Sequence, residues 1–336
     1  MLPRAAEGHF VFNTRHAEPT ARTALRSIST LRLKAGQLAG LVLLVAGILG
    51  AQVSAMAQSS ASGEGAADRT DKRWVAQKKK PANDEPVAPV RTPAAAKPEA
   101  DAQAAQNPIS NMISIPFQNN TYFDAGPYRR AQNVMLVEPV VPVHLNADWN
   151  LVTRWITPVI YQPRLAPFQG AEFGVGNVQP QFYFVPAHTG STVIGFGPQF
   201  QLPTATDNLL GVNKWGAGPA LAALTIQGPW VVGVLANNMW AGTEGERVNR
   251  LTLNPFVNYN MAGGWYLSSS PVLTADWLAP TSQRWTVPIG GGIGRVFKVG
   301  EQAVNARVQL FDNVVRPINA ASWILQMQVQ LLFPSS

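Results

Sequence analysis

The 336-residue chain is 46% hydrophobic and only 13% charged, against about 25% charged in an ordinary soluble domain. So little charge suits a surface largely out of water, and the absence of cysteine excludes a disulfide framework and thiolate chemistry. The formal charge of +7 is weighted to the front, with 14 Lys+Arg and 9 Asp+Glu in residues 1–106 against 12 and 10 in residues 107–336. No basic patch interleaved with aromatics occurs, so the charge carries no nucleic-acid reading.

Residues 1–37 are basic, with Arg4, Arg15, Arg22, Arg26, Arg32 and Lys34. Residues 38–51 then form a 14-residue run without a polar side chain, followed by Ala55-Met56-Ala57. A basic lead, an apolar core and a small-residue site predict a secretory signal peptide over 1–57. The run is shorter than the ~20 residues of a spanning helix, the alternative being an uncleaved anchor. Residues 58–106 are Ala, Pro, Gln, Lys, Asp and Glu with almost no large apolar residue. Such a stretch cannot bury enough surface to offset its chain entropy, so it reads as a disordered linker. Its role is that of a spacer or, as a functional reading, a tether in contact with the cell wall.

From Asn107 the texture changes to short alternating segments rich in Val, Ile, Trp, Tyr and Phe, punctuated by Gly, Asn and Pro. Twelve strands are predicted, over 111–123, 132–145, 149–162, 174–187, 192–203, 214–227, 230–242, 248–261, 265–278, 284–298, 302–313 and 322–333. Short turns at 146–148, 188–191, 228–229, 262–264 and 299–301 alternate with longer connections at 124–131, 163–173, 204–213, 243–247, 279–283 and 314–321. Short turns at one end and longer loops at the other describe an up-and-down antiparallel barrel crossing an outer membrane. A sandwich with Greek-key crossings would not sort its loops this way. An even strand count puts the linker and both termini on the short-turn, periplasmic side.

The last strand shows the face logic. Trp323, Leu325, Met327, Val329, Leu331 and Phe333 share one parity, while Gln326, Gln328 and Gln330 share the other. Lipid is the expected partner of the first face. An aromatic near the C-terminus also resembles the final strand read by the barrel-assembly machinery, although Pro334, Ser335 and Ser336 follow it. Trp149, Tyr161, Trp230, Trp240, Trp265, Trp277, Trp285, Trp323 and Phe333 fall at strand ends and predict two interfacial girdles. The charged residues on polar faces, Glu138, Arg154, Arg250, Asp276 and Arg307, join the three glutamines as candidates for the lumen lining. Hairpin arithmetic sets Arg250 opposite Asp276, and Arg154 one diagonal step from Glu138, so the lumen charges are expected to cancel in pairs.

Little else points to chemistry. The barrel region has two histidines, His144 and His188, with no Ser or Asp at telling spacing, so an enzyme is not expected. Gly290-Gly291-Gly292-Ile293-Gly294 lacks the strand-to-helix setting of a phosphate loop and reads as relief of strand crowding. No metal-ligand cluster or cofactor motif occurs. Prolines recur inside strands, at 139, 142, 158, 180, 198, 219, 255, 271 and 288. Each removes a ladder donor, and bulges are expected there.

Asn107-Pro108-Ile109-Ser110 through Ile115-Pro116-Phe117-Gln118-Asn119-Asn120, and Asp148-Trp149-Asn150-Leu151-Val152-Thr153-Arg154, carry a resemblance, with Val178-Gln179-Pro180 and Gly197-Pro198-Gln199. Together they resemble a group of Gram-negative outer-membrane proteins related to the transporters of the meta-pathway of phenol degradation. Bacterial sequences of this kind often carry the label "neuromedin U". The resemblance covers about 107–336, implies an outer-membrane barrel with a transport role, and supplies no site residues. The combined expectation is a passive channel or transporter for small solutes, apolar ones among them. The rival is a structural or cell-wall-tethering barrel with a closed lumen.

Overall fold

A computed structural model describes residues 103–165, 168–242 and 247–333. The predicted signal peptide and nearly all of the predicted linker lie outside the described residues. Fifteen strands follow in chain order: β1 (Ile113–Ala125), β2 (Arg130–Val137), β3 (Val140–His144), β4 (Trp149–Gln162), β5 (Glu172–Val175), β6 (Gln179–Pro186), β7 (Thr192–Gln201), β8 (Gly216–Gln227), β9 (Trp230–Ala241), β10 (Val248–Asn260), β11 (Trp265–Ser269), β12 (Leu273–Asp276), β13 (Trp285–Val299), β14 (Gln302–Val315) and β15 (Trp323–Phe333). Three pairs, β2/β3, β5/β6 and β11/β12, are single wall-crossings interrupted by two or three residues. The wall thus has twelve crossings, each antiparallel to its neighbours.

β15 returns to β1 in unbroken register from Ile113↔Phe333 to Phe123↔Trp323, and β9 pairs β10 over its whole length. The sheet therefore closes on itself as a twelve-stranded antiparallel barrel. The alternation of apolar and polar residues produces this closure directly. Each crossing can put one parity outside and the other inside only if every strand has a partner on both edges.

The strands reach further than predicted at one place. The expected loop 124–131 shrinks to a four-residue turn at 126–129, because β1 runs to Ala125 and β2 begins at Arg130. Asp124 and Arg129 both take positive φ, and an ion pair of 3.1 Å between them closes the turn. This connection is no longer than the 145–148 turn at the opposite end, so loop length separates the two ends less sharply than expected.

The prolines divide into two groups. Pro139 and Pro271 occupy the interruptions of β2/β3 and β11/β12, and Pro288 sits at a register shift between β13 and β14. Pro142, Pro158, Pro180, Pro198, Pro219 and Pro255 lie in strands instead, and Pro198 faces Pro219 across the β7–β8 ladder. No bulge accompanies these six. A single missing donor leaves one carbonyl without its ladder bond, a smaller loss than a broken register. At the interruptions side chains supply the missing partners. Asn254 Nδ2 donates to the Pro271 carbonyl at 2.8 Å, and Thr204 Oγ1 accepts the Val178 N–H at 2.8 Å.

Gly292 and Gly294 show what the glycine run does. A Cβ on Gly292 would lie 1.8 Å from the Val308 carbonyl oxygen, and one on Gly294 would lie 2.2 Å from the Tyr266 ring. The first glycine lets β13 approach β14, and the second leaves room for an inward tyrosine. Neither contacts a phosphate-binding turn, as β13 is a strand throughout. Gly292→Val should therefore block folding of the barrel. The protein should migrate only as the unfolded species in unboiled gel electrophoresis, while Gly300→Ala, at an open turn, should still yield the folded band.

Candidate functional site

Inside the barrel is a cavity of about 270 Å³, lined by side chains from nine of the twelve crossings. Its middle layer follows from strand geometry. Gln118, Arg154, Leu235 and Arg307 are each the sixth residue of their strands, β1, β4, β9 and β14, which all start at the short-turn end. Gln181 and Gln328 are each sixth from the end of β6 and β15, which finish there. Equal steps along antiparallel strands bring inward side chains to one belt. Along the wall from β14 through β15, β1 and β4 to β6 the belt is polar. Across β9 and β10 it presents Leu235 and Phe256.

Two hydrogen-bonded networks hold the polar arc. Arg154 Nη2 donates to Glu138 Oε2 at 2.7 Å, and its Nη1 donates to Gln181 Oε1 at 3.4 Å. Tyr183 Oη also donates to Gln181 Oε1, at 3.0 Å. Gln181 Nε2 then donates to Gln199 Oε1, and Gln199 Nε2 to Asn237 Oδ1, both at 3.1 Å. The β2/β3 interruption serves this pair. Glu138 and Val140 both line the cavity on either side of Pro139, and Val140 stands directly opposite Arg154. In the second network Arg307 Nη2 donates to Gln328 Oε1 at 2.6 Å and to Gln326 Oε1 at 3.3 Å. Separately, Tyr266 Oη donates to Asn305 Oδ1 at 2.6 Å, and Asn305 Nδ2 to Gln330 Oε1 at 3.0 Å.

Glu138, Arg154, Arg307, Gln326, Gln328 and Gln330 all border the cavity. Arg250 and Asp276 do not. They stand opposite each other in register, as the hairpin arithmetic expects, but at the long-loop mouth. There Arg250 is exposed, and Asp276 Oδ1 accepts the backbone N–H of Leu278 at 3.0 Å instead of pairing with the arginine. Cancellation of charge by pairing is thus met by Glu138–Arg154 alone among the predicted pairs.

The strand-end aromatics lie in two zones. Trp149, Trp230, Trp265 and Phe333 flank the short turns; Tyr161, Trp240, Trp277, Trp285 and Trp323 flank the loops. Seven of these nine are exposed, Trp240 most at 51%, while Trp285 and Phe333 are half-buried. Phe123 stacks on Trp323 at 3.8 Å between ring centres, and Trp230 tilts against Tyr259 at 4.7 Å.

The segment before β1 turns into the barrel at the short-turn end. Gln103 Nε2 donates to the Gly228 carbonyl at 2.7 Å, and Gln106 exchanges amide bonds of 2.7 and 3.2 Å with Asn260. Ile109 is 1% exposed, packed among Val152, Tyr183, Val185 and Val193. Ala105 and Met112 pack with Tyr266 and Leu332 on the other side. Sequence reasoning allows for a lumen filled by the front segment, but it does not single out Ile109, which lies outside any alternating run. It also missed the inward residues Gln118, Gln181, Asn237 and Tyr266. Strand parity could have found the last of these, which shares a face with Ser268 and Ser270.

His144 Nδ1 lies 3.0 Å from Asn150 Oδ1 beside a turn, and His188 is in the 187–191 turn. Among the described residues no group of three or more His, Asp or Glu could hold a metal ion. Removing Glu138 should leave Arg154 half-buried without its carboxylate. Glu138→Ala is expected to lower stability by about 3 kcal/mol, the usual cost of orphaning one member of a largely buried pair. Urea unfolding in lipid vesicles, followed by tryptophan fluorescence, measures it.

No protein-family profile and no curated protein match the sequence. Solved structures do resemble the fold. An outer-membrane channel from Pseudomonas putida F1 superposes with a TM-score of 0.50 at 14% identity, over 66% of this chain and 94% of that one. The NanC porin aligns at 0.43 and 9% identity, over 66% and 100% of the two chains. A phospholipase A from the outer membrane of Salmonella typhi aligns at 0.38 and 12% identity, over 70% and 98%. The twelve-stranded closed barrel is therefore a fold this chain shares with an outer-membrane channel.

Proposed function

We propose that the chain is a bacterial outer-membrane channel for small solutes. The observation that carries this reading is a polar, amide-rich cavity at mid-height in a closed barrel whose strand ends carry exposed aromatics. The aromatic zones would sit at the two membrane interfaces, with the apolar outer parity between them in lipid. Segment 103–112 and both chain ends would then face the periplasm, after insertion by the barrel-assembly machinery. Membership of the group related to the meta-pathway transporters fits this reading.

The alternative, a structural barrel with a closed lumen, has one observation in its favour. Segment 103–112 fills the short-turn end, with Ile109 buried in an apolar cluster. Passage thus requires this segment to move. The Gln106–Asn260 amide pair offers a handle, because the chain has no cysteine. In a Gln106→Cys/Asn260→Cys variant, bridging the thiols with a short bis-thiosulfonate should suppress single-channel current in planar bilayers. Reductant should restore it. Current that is absent from the wild type under every applied voltage favours the structural barrel, and current indifferent to the bridge removes the plug from the path.

A further inference from the structure

The cavity's charges do not balance. Glu138 forms its salt bridge with Arg154, at 2.7 Å, and not with Arg307. Arg307 meets only neutral acceptors, Gln328 and Gln326, and both bonds leave from its Nη2. Its Nε–H is buried without a partner, and no hydrogen bond joins Nη1 to a described residue. A guanidinium is a fixed cation with five donors in a planar fork, suited to a two-oxygen anion. An interior cation that lacks a counter-charge is costly to keep, and a site for an exchangeable anion explains why this one is retained.

The rest of the belt says what kind of anion fits. The arc around Arg307 is built of amides, whereas Leu235 and Phe256 face the same cavity from β9 and β10. The cavity measures about 270 Å³. A space of that size suits a molecule of about one ring. We infer that the lumen holds a binding site for small organic monoanions, with the carboxylate on Arg307 and the apolar body against Leu235 and Phe256. This inference rests on the channel reading for its role in transport, but the site itself is testable without conduction.

Benzoate is a suitable probe, with benzylamine as its cationic counterpart of similar shape. Equilibrium dialysis against the full chain in detergent should show one saturable site for benzoate and none for benzylamine. Gln328→Glu adds the missing counter-charge within reach of Arg307 and removes nothing. It should weaken benzoate binding on the order of tenfold or more, the range expected when a charge-assisted bond is lost. Arg307→Gln should do the same, Arg307→Lys should retain most of the affinity, and Arg316→Gln at the exposed loop end should change nothing. In bilayers, the wild type should favour chloride over potassium in a salt gradient, and Gln328→Glu should abolish that preference. Benzoate bound equally by wild type and Gln328→Glu, absent binding, or equal binding of benzylamine would each overturn the site. Intact benzoate binding in a protein that never conducts would overturn the channel and leave the site standing.

Discussion

The closure of the sheet at β15 and β1 is the constraint on which the rest depends. In hydrocarbon a backbone N–H or C=O has no water to turn to, so a spanning sheet must have no free edge. The eleven-pair register from Ile113↔Phe333 to Phe123↔Trp323 removes the last two edges. Once the sheet is closed, its two parities are sorted into an outside and an inside with no further choice. The Gln326, Gln328 and Gln330 series is brought into the lumen by the closure that puts Trp323 outside. Closure also sets the belt, since equal counts from the short turns deliver Arg154, Arg307 and Gln118 to one level.

The interruptions in the wall are placed with some economy. A closed barrel tolerates a break only where other groups take over the lost ladder bonds. Glu138 keeps its backbone N–H on the Pro116 carbonyl at 3.0 Å, and the Pro139 carbonyl accepts the Trp155 N–H at 3.0 Å. The wall thus stays bonded while Glu138 reaches Arg154. At β5/β6 the loop after β7 does the same work. Thr204 and Thr206 hydroxyls accept the N–H groups of Val178 and Val175, and Ala205 and Leu210 are buried. Six other prolines pass without any such device, so proline alone does not decide where the wall breaks.

The lumen is best understood as two regions of opposite character in one tube. Toward the short turns, segment 103–112 seats Ile109 among apolar side chains. Above it, the belt is amide-rich and holds one compensated and one uncompensated arginine. The apolar contacts set the position of the plug, and the polar belt sets what the space beyond it can solvate. The two are coupled through residues that belong to both. Tyr266 packs with Ala105 and Met112, yet its hydroxyl holds Asn305 at the cavity wall.

Strand number, order and facing were legible in the sequence because they depend on local alternation and on turn residues. All twelve predicted segments correspond to wall crossings, and the hairpin arithmetic gave Arg250↔Asp276 and Val140↔Arg154 correctly. Such pairings need only a turn and a period of two. What sequence could not supply depends on contacts between residues far apart in the chain. Arg250 and Asp276 are opposite in register but belong to the mouth, because a residue's depth depends on how far its strand projects past its neighbours. Arg307 lacks a carboxylate for the same kind of reason. The acid nearest in type, Glu138, is already taken by an arginine two crossings away from β1. Ile109 is buried at the short-turn end only because twelve strands first enclose a space of the right width. Local pattern determined the wall of this protein; the tertiary structure decided what fills it, because a lumen exists only after the last strand has met the first.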